Sequence, residues 1–271
     1  MSYYIRQDDE DYENLIGFIE EINNVRVNFT AEDLIELFEF VISPSDRIVN
    51  GAIYTPSHIR EYIVNQSLNN RNIDLQTIKI ADIACGCSGF LYTTAKELRQ
   101  RTGNTYTYIF QNQIFGLDIQ EYSVTRSKLL LSLLALYEGE DNEQFHFNIH
   151  QGDALIYNWQ QVINNFEGFD IIVGNPPYVS ARNLDDVAKE NVKLWEVCST
   201  GNPDLYIPFF QIGYENLAPN GFLGYITSIG QRSQEQNLKR VKHTIDPFVN
   251  YTYIPDVSQG NNPFFDTTDR I

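Results

Sequence analysis

No apolar run in this 271-residue chain reaches the roughly 18 residues that a membrane-spanning helix needs. Residues 1–15 are acidic and hold no apolar core, so they do not read as a signal peptide, and the expected compartment is the cytoplasm. Cysteine is scarce. Cys85, Cys87 and Cys198 make neither a disulfide framework nor a zinc ligand set, so no metal is expected. Cations are scarce too: 19 Lys and Arg stand against 36 Asp and Glu, a net charge of −17. Phosphate binding draws on Lys and Arg, so a nucleic-acid partner would need a local basic patch or a domain this chain lacks. The 42% hydrophobic content can fill a core, which excludes disordered and collagen-like classes, and no internal repeat or low-complexity tract occurs.

The N-terminal part reads as helical. Apolar residues at helical spacing predict helices over 12–21 and 31–42. Thr30 suits the N-cap of the second, with Asp33 placed to reach back, and Ser43-Pro44 should stop it. Thr55 as N-cap, with Pro56 at the first helical position, predicts another start. From residue 78 the pattern changes. Strands are predicted at 78–84, 114–119, 145–150, 169–174, 222–227 and 249–254, and helices at 90–101, 122–137, 205–217 and 233–244, with Gly103 as a C-cap. Such alternation predicts an α/β fold, a doubly wound and mainly parallel sheet behind an N-terminal helical segment. Ligands of such sheets bind beyond the carboxyl ends of the strands, which makes the strand ends the residues of interest.

The first strand ends in Asp82 and a Gly-rich turn holding Ala84, Cys85, Gly86 and Gly89. A ligand can approach such a backbone closely. No Gly-Lys-Ser/Thr ending is present, so the anionic turn suits an ammonium better than a phosphate; it reads equally well as a tight strand–helix turn. Asp118, followed by Ile119, ends the second strand where a ribose diol would be gripped, or where a helix would be capped. Asp153 and Ala154 follow the third strand, and the carboxylate could accept from a purine amine or simply close a turn. The fourth strand runs into Asn175, Pro176, Pro177 and Tyr178. Two prolines stiffen the segment. They would hold the Asn amide oxygen and the Pro176 carbonyl as fixed acceptors, with the Tyr ring as a flat stacking surface, a set suited to a planar substrate bearing an NH2 group.

In this order the motifs resemble those of S-adenosylmethionine-dependent DNA adenine-N6 methyltransferases, in particular type I modification subunits and fused type II restriction–modification enzymes. Gly51 to Pro56 is similar to the family's cofactor segment, residues 82–90 to its Gly-rich loop, Asp118 and Asp153 to its next two acidic positions, and Asn175 to Tyr178 to its catalytic tetrapeptide. Asp204 to Tyr206, Asn220 to Ile226 and Asn262 to Asp266 resemble later segments. The resemblance implies a Rossmann-like catalytic domain over residues 51–271, with residues 1–50 as the helical segment. It implies S-adenosylmethionine held by Tyr54, Thr55, Pro56, Asp82, Ala84, Cys85, Gly86, Gly89, Asp118, Ile119, Asp153, Ala154 and Asn175, and catalysis by Asn175, Pro176, Pro177 and Tyr178. The partner implied is double-stranded DNA, read through a target-recognition domain or subunit outside this chain, alongside restriction or specificity subunits.

Ser88 stands where the family usually has glycine, so a positive φ there would be strained. Residues 179–203 are expected to form a mobile loop over the cleft, an ordinary surface insertion being the alternative. Lys239, Arg240, Lys242 and His243 form a dense basic cluster that would suit phosphates or a solvated helix face equally. Two other functions fit the tetrapeptide: methylation of a glutamine side chain in a translation factor, and a methyltransferase-like scaffold that no longer transfers.

Overall fold

The computed structural model describes residues 30–40, 54–69, 73–142, 144–199, 201 and 203–226, together with helical positions 16, 17, 20, 21 and 24. The described elements are helices α1 (Ala31–Phe40), α2 (Ser57–Leu68), α3 (Gly89–Thr102), α4 (Tyr106–Asn112), α5 (Glu121–Tyr137), α6 (Asp186–Lys193) and α7 (Tyr206–Glu215). The strands are β1 (Ile80–Asp82), β2 (Ile114–Asp118), β3 (Asn148–Gln151), β4 (Phe169–Gly174) and β5 (Leu217–Tyr225). All five strands pair in parallel in the order β3-β2-β1-β4-β5. β1 and β4 are buried along nearly their whole length, as befits parallel strands covered on both faces. One face packs Ile63, Leu91, Leu98, Phe110 and Leu131 from α2 to α5; the other packs Trp159, Phe169, Phe209 and Phe210.

This topology fixes where a ligand can sit. From β1 the chain winds outward to β3, then returns to lay β4 against the free side of β1. Ile80 faces Ile114 on one side and Ile171 on the other. The strand order reverses between β1 and β4, and a reversal opens a crevice at the strands' carboxyl ends. The turn after Asp82 and the segment after Gly174 are therefore neighbours, although 92 positions separate those residues in the sequence.

Several local expectations hold. Thr30 and Asp33 form a reciprocal box at the start of α1, with Thr30 N donating to Asp33 Oδ2 at 2.8 Å and Asp33 N to Thr30 Oγ1 at 3.3 Å. Gly103 caps α3 in the left-handed region, φ +77°, donating to Arg99 O at 3.0 Å.

Others are corrected. Thr55 does not cap α2; the cap position falls on Pro56, whose ring has no hydrogen-bonding atom, and the Thr55 hydroxyl meets Asn175 instead. β3 begins at Asn148 rather than 145, since Phe145 and Phe147 turn their rings onto Phe110, centroids 5.7 and 5.1 Å away. α4 was not expected; Thr105 starts it by accepting from Tyr108 N at 3.1 Å. β5 begins at Leu217 rather than 222. Residues 218–221 bulge opposite Asp170, so Phe169 pairs with Leu217 while Ile171 pairs with Phe222. Asn220 takes φ +64° there, which asparagine tolerates.

Of residues 179–203, expected as a mobile loop or an ordinary surface insertion, 179–199 form a packed insertion. It carries α6 and a short 3-10 turn, Glu196–Cys198, and buries Val179, Leu184, Val192, Val197 and Cys198. Leu205 N donates to Val179 O at 2.9 Å, which draws the two ends of the segment together, and Trp195 Nε1 donates to Leu155 O at 3.1 Å. The predicted helix at 233–244, the strand at 249–254, Thr227, Ser43-Pro44, Asn262 to Asp266, the basic cluster and most of the first helix lie outside the described residues.

Candidate active site

A cavity of about 300 Å³ lies at the carboxyl ends of β1, β2 and β4. It is lined by Tyr54, Thr55, Asp82, Ala84, Cys85, Gly86, Gly89, Asp118, Ile119, Asp153, Ala154, Asn175 and Pro177. Nearly every residue singled out from the sequence thus meets in one place. Pro56, Pro176 and Tyr178 do not line it.

Asp82 is 2% exposed and accepts from Ala84 N at 3.1 Å. Gly174 makes room for it: a Cβ on that residue, at φ +154°, would lie 2.6 Å from Asp82 Oδ1. The end of β4 therefore needs glycine for the carboxylate to lie beside its backbone. Asp118 ties β2 to the Gly-rich turn, since Oδ2 accepts from Gly86 N at 2.9 Å and Oδ1 from Gln120 N at 2.8 Å. Burial pushes the Asp118 carboxyl above its ordinary 3.8, against the opposing pull of those two amides and the Ser123 hydroxyl. Burial, then the Asp118 and Asp82 charges, push the Cys85 thiol well up, so it is a neutral wall and not a nucleophile. Asp153 closes its own turn through Leu155 N, 2.9 Å, and reaches Asn191 Nδ2 of α6 at 3.1 Å.

Asn175 Nδ2 donates to Thr55 Oγ1 at 3.0 Å, and this joins the segment before the first strand to the end of the fourth. Pro176 is buried beneath it. Tyr178 is half-buried; its hydroxyl donates to Ile226 O at 2.9 Å, and its ring packs on Tyr206 with centroids 5.7 Å apart. Ser88 is fully buried and takes φ +66°, so the strain expected of a non-glycine residue is present.

Sequence reasoning missed one wall. Arg60 of α2, 2% exposed, spreads its guanidinium across the cavity's edge. Its Nη2 grips both Glu32 carboxylate oxygens at 2.6 and 2.7 Å, Nη1 donates to Thr55 O, and Nε reaches Thr93 Oγ1 at 3.4 Å. The Tyr54 hydroxyl donates to the same Glu32 at 2.9 Å. Arg126 holds the other end of α1, donating to Phe38 O at 3.1 Å between the rings of Phe38 and Tyr122. α1 is thereby clamped over the site, with Ile35 in the cavity wall. The insertion adds Asn183, Leu184, Asp185 and Ala188. Among the described residues, no group of His, Cys, Asp and Glu could hold a metal ion, and no helix is long and apolar enough to cross a membrane.

The model of the Eco57I restriction-modification methylase family matches residues 112–257, over half of the chain. The chain belongs to that family. It is 26% identical over 244 residues to the type II restriction enzyme and methyltransferase RM.Eco57I of Escherichia coli, covering 70% of this chain and 24% of that protein. It is 27% identical over 226 residues to the type II methyltransferase M.BstVI of Geobacillus stearothermophilus, covering 80% and 40%. The chain thus spans a quarter to two fifths of the length of these relatives. Among solved structures, the DrdV–DNA complex aligns with a TM-score of 0.59 at 16% identity, over 80% of this chain and 25% of that one. A class I S-adenosylmethionine-dependent methyltransferase from Listeria monocytogenes aligns with a TM-score of 0.55 at 15% identity, over 88% and 66%. At those identities the structures speak for the fold, a Rossmann-like methyltransferase sheet.

Proposed function

We propose that this chain is the catalytic part of a DNA methyltransferase of a restriction–modification system, which moves a methyl group from S-adenosylmethionine to N6 of an adenine. One observation carries this reading: Asn175 lines the same cavity as Asp82 and Asp118, at the point where the strand order reverses. The residues present fit the methyl donor. The cavity has the size of a small-molecule site. Its glycine-lined entrance admits a ligand to the backbone, and its carboxylates match a ligand that carries an ammonium, a diol and an amine.

In this reading Asp82 holds the ammonium, Asp118 the ribose hydroxyls and Asp153 the amine of the donor's adenine. The backbone of Ala84, Cys85, Gly86 and Gly89 follows its outline, Ile119 and Ala154 flank the acids, and Tyr54, Thr55 and Pro56 close over the methionine end. When bound, the donor supplies a methyl carbon on a sulfonium, whose C–S bond breaks as a C–N bond forms while the amine sheds a proton to water. The protein's task is alignment. The target adenine must leave the duplex, where its amine is paired and stacked. Asn175 Oδ1 and the Pro176 carbonyl accept the two amine hydrogens, which leaves the nitrogen lone pair directed away from both. Tyr178 offers its ring to the base. DNA is read by parts of the protein outside this chain, in keeping with the charge of −17, and a cytoplasmic setting follows from the substrate.

The test uses methyl-labelled S-adenosylmethionine with duplex DNA and, separately, a glutamine-bearing translation factor. Label recovered as N6-methyladenine is expected; label on cytosine or on the protein overturns the reading.

Asp118 adds a pH signature. Hydroxyls donating to its carboxylate favour the charged form, so donor binding there releases a proton. Without ligand, a carboxyl raised in the fold contributes stability that is present below 3.8 and lost as pH rises through the folded value. Affinity for S-adenosylmethionine therefore rises with pH through the folded value of that carboxyl, above 3.8. Calorimetry in two buffers of different ionisation enthalpy reads the released proton, and proton uptake would contradict the assignment.

A further inference from the structure

We propose that Asn191, on the insertion that follows the tetrapeptide, is a positioning residue: it fixes the plane of the Asp153 carboxylate, which takes the amine of the methyl donor's adenine. The acids at the strand ends are not all held alike. Both oxygens of Asp118 meet backbone amides, Gly86 N at 2.9 Å and Gln120 N at 2.8 Å. Asp153 has one such amide, with Oδ1 accepting from Leu155 N at 2.9 Å. A carboxylate tied through one oxygen can still pivot about that bond, and its second oxygen then has no set place. Here the second oxygen, Oδ2, meets Asn191 Nδ2 of α6 at 3.1 Å. Bonds on both oxygens fix the plane.

The end of the Asn191 amide that does this is not open to exchange, because an ionised carboxylate only accepts and must face the NH2. The contact also leaves Asp153 able to act. A carboxylate offers about four acceptor sites. Leu155 N and Asn191 Nδ2 take one each, and among the described residues no third donor reaches it. Asn191 is uncharged, so it orients the carboxylate without neutralising it, as Lys or Arg in its place would. Its surroundings face the same way. Asp185, the N-cap of α6, and Ala188 line the cavity, and Asn191 follows at the same spacing of three on that face of the helix. Trp195 Nε1 of the same insertion donates to Leu155 O at 3.1 Å. The turn that carries Asp153 is thus gripped twice, once through its carboxylate and once through its backbone. The inference rests on the proposed reading of Asp153 as the acceptor for the donor's adenine amine.

The probes are S-adenosylhomocysteine, which is the donor without its methyl group, and a counterpart whose purine carries hydrogen in place of the amine. Calorimetry on the full chain gives the ratio of the two affinities. The wild type should prefer the amine about tenfold or more, the worth of a hydrogen bond to a charged group. Asn191→Leu is close in size and has no donor; Asn191→Asp keeps the shape and puts an acceptor where the donor was. Each should lower the preference about fivefold, the worth of one neutral hydrogen bond, and either suffices if the other fails to fold. A merely structural role for Asn191 would weaken both ligands alike and leave the ratio unchanged. An unchanged ratio in these variants, with Asp153→Asn lowering it, overturns the proposal and leaves the reading of Asp153 standing. A wild type with no preference, or an Asp153→Asn variant that keeps the full preference, removes the reading of Asp153 and the proposal with it. A wild type that binds neither probe removes the methyl donor itself, so the failures are distinct.

Discussion

If the proposed function holds, Asn175→Ala should lower methyl transfer to adenine about a hundred- to a thousandfold, roughly 3 to 4 kcal/mol, as expected when one preorganised polar contact to the reacting group is removed. Affinity for S-adenosylmethionine stays within about tenfold, 1.4 kcal/mol. The split follows from the site's construction. Asp82, Asp118 and Asp153 stand on the ends of β1, β2 and β3, each with backbone partners that do not involve Asn175. Deleting the amide leaves those three anchors in place. It removes the oxygen proposed to meet the substrate amine and takes the Asn175 Nδ2 donor away from Thr55. Single-turnover transfer with labelled donor measures the first quantity and calorimetry the second. A variant that transfers at the wild-type rate would show that Asn175 does not hold the amine. A variant that no longer binds the donor would place Asn175 in the cofactor shell alone.

The parts of this site that could be read from the sequence are those fixed by topology. Once strands and helices alternate, the carboxyl ends of the strands must share one edge, so Asp82, Asp118, Asp153 and Asn175 could be expected together before any contact was known. The parts that could not be read are fixed by contacts between distant positions. Glu32 and Arg60 are 28 residues apart on two helices, and neither position announces a partner. Thr55 looked like a cap because Thr before Pro is a good helix start, yet a partner 120 residues away competes for its hydroxyl. The strand expected from 222 begins at Leu217, because β5 takes up residues 218–221 as a bulge opposite Asp170. α4 is only seven residues long, too short for apolar periodicity to reveal it. The tetrapeptide sits at the expected strand end, but the contact of the Tyr178 ring with Tyr206, 28 residues on, had no signal in the sequence.

Glu32→Ala destabilises the fold by about 3 kcal/mol, the lower end for breaking a buried ion pair by removing one partner. The lower end applies because the two partners differ in exposure: Arg60 is 2% exposed and Glu32 33%, so water reaches the carboxylate side of the pair. Loss of the carboxylate leaves the guanidinium, among the described residues, with the Thr55 carbonyl, the Thr93 hydroxyl and the Tyr54 ring, whose centroid is 5.9 Å away. Replacing both partners tests whether charge stranding is the cause. Arg60→Met with Glu32→Leu removes the buried charge altogether and should recover most of the loss. A residual deficit of about 1 to 2 kcal/mol remains, because the Thr55 carbonyl then lacks its donor. Urea denaturation of the two single variants and the double variant gives the coupling directly. A Glu32→Ala protein within about 0.5 kcal/mol of wild type would mean the pair contributes nothing beyond a surface contact. The same variants report on the site, because Glu32 also takes the Tyr54 hydroxyl and α1 places Ile35 in the cavity wall. If the clamp on α1 holds the cofactor cavity in shape, Glu32→Ala weakens S-adenosylmethionine binding as well, and the double variant, which restores stability without restoring the grip on Thr55, recovers less of the binding than of the fold.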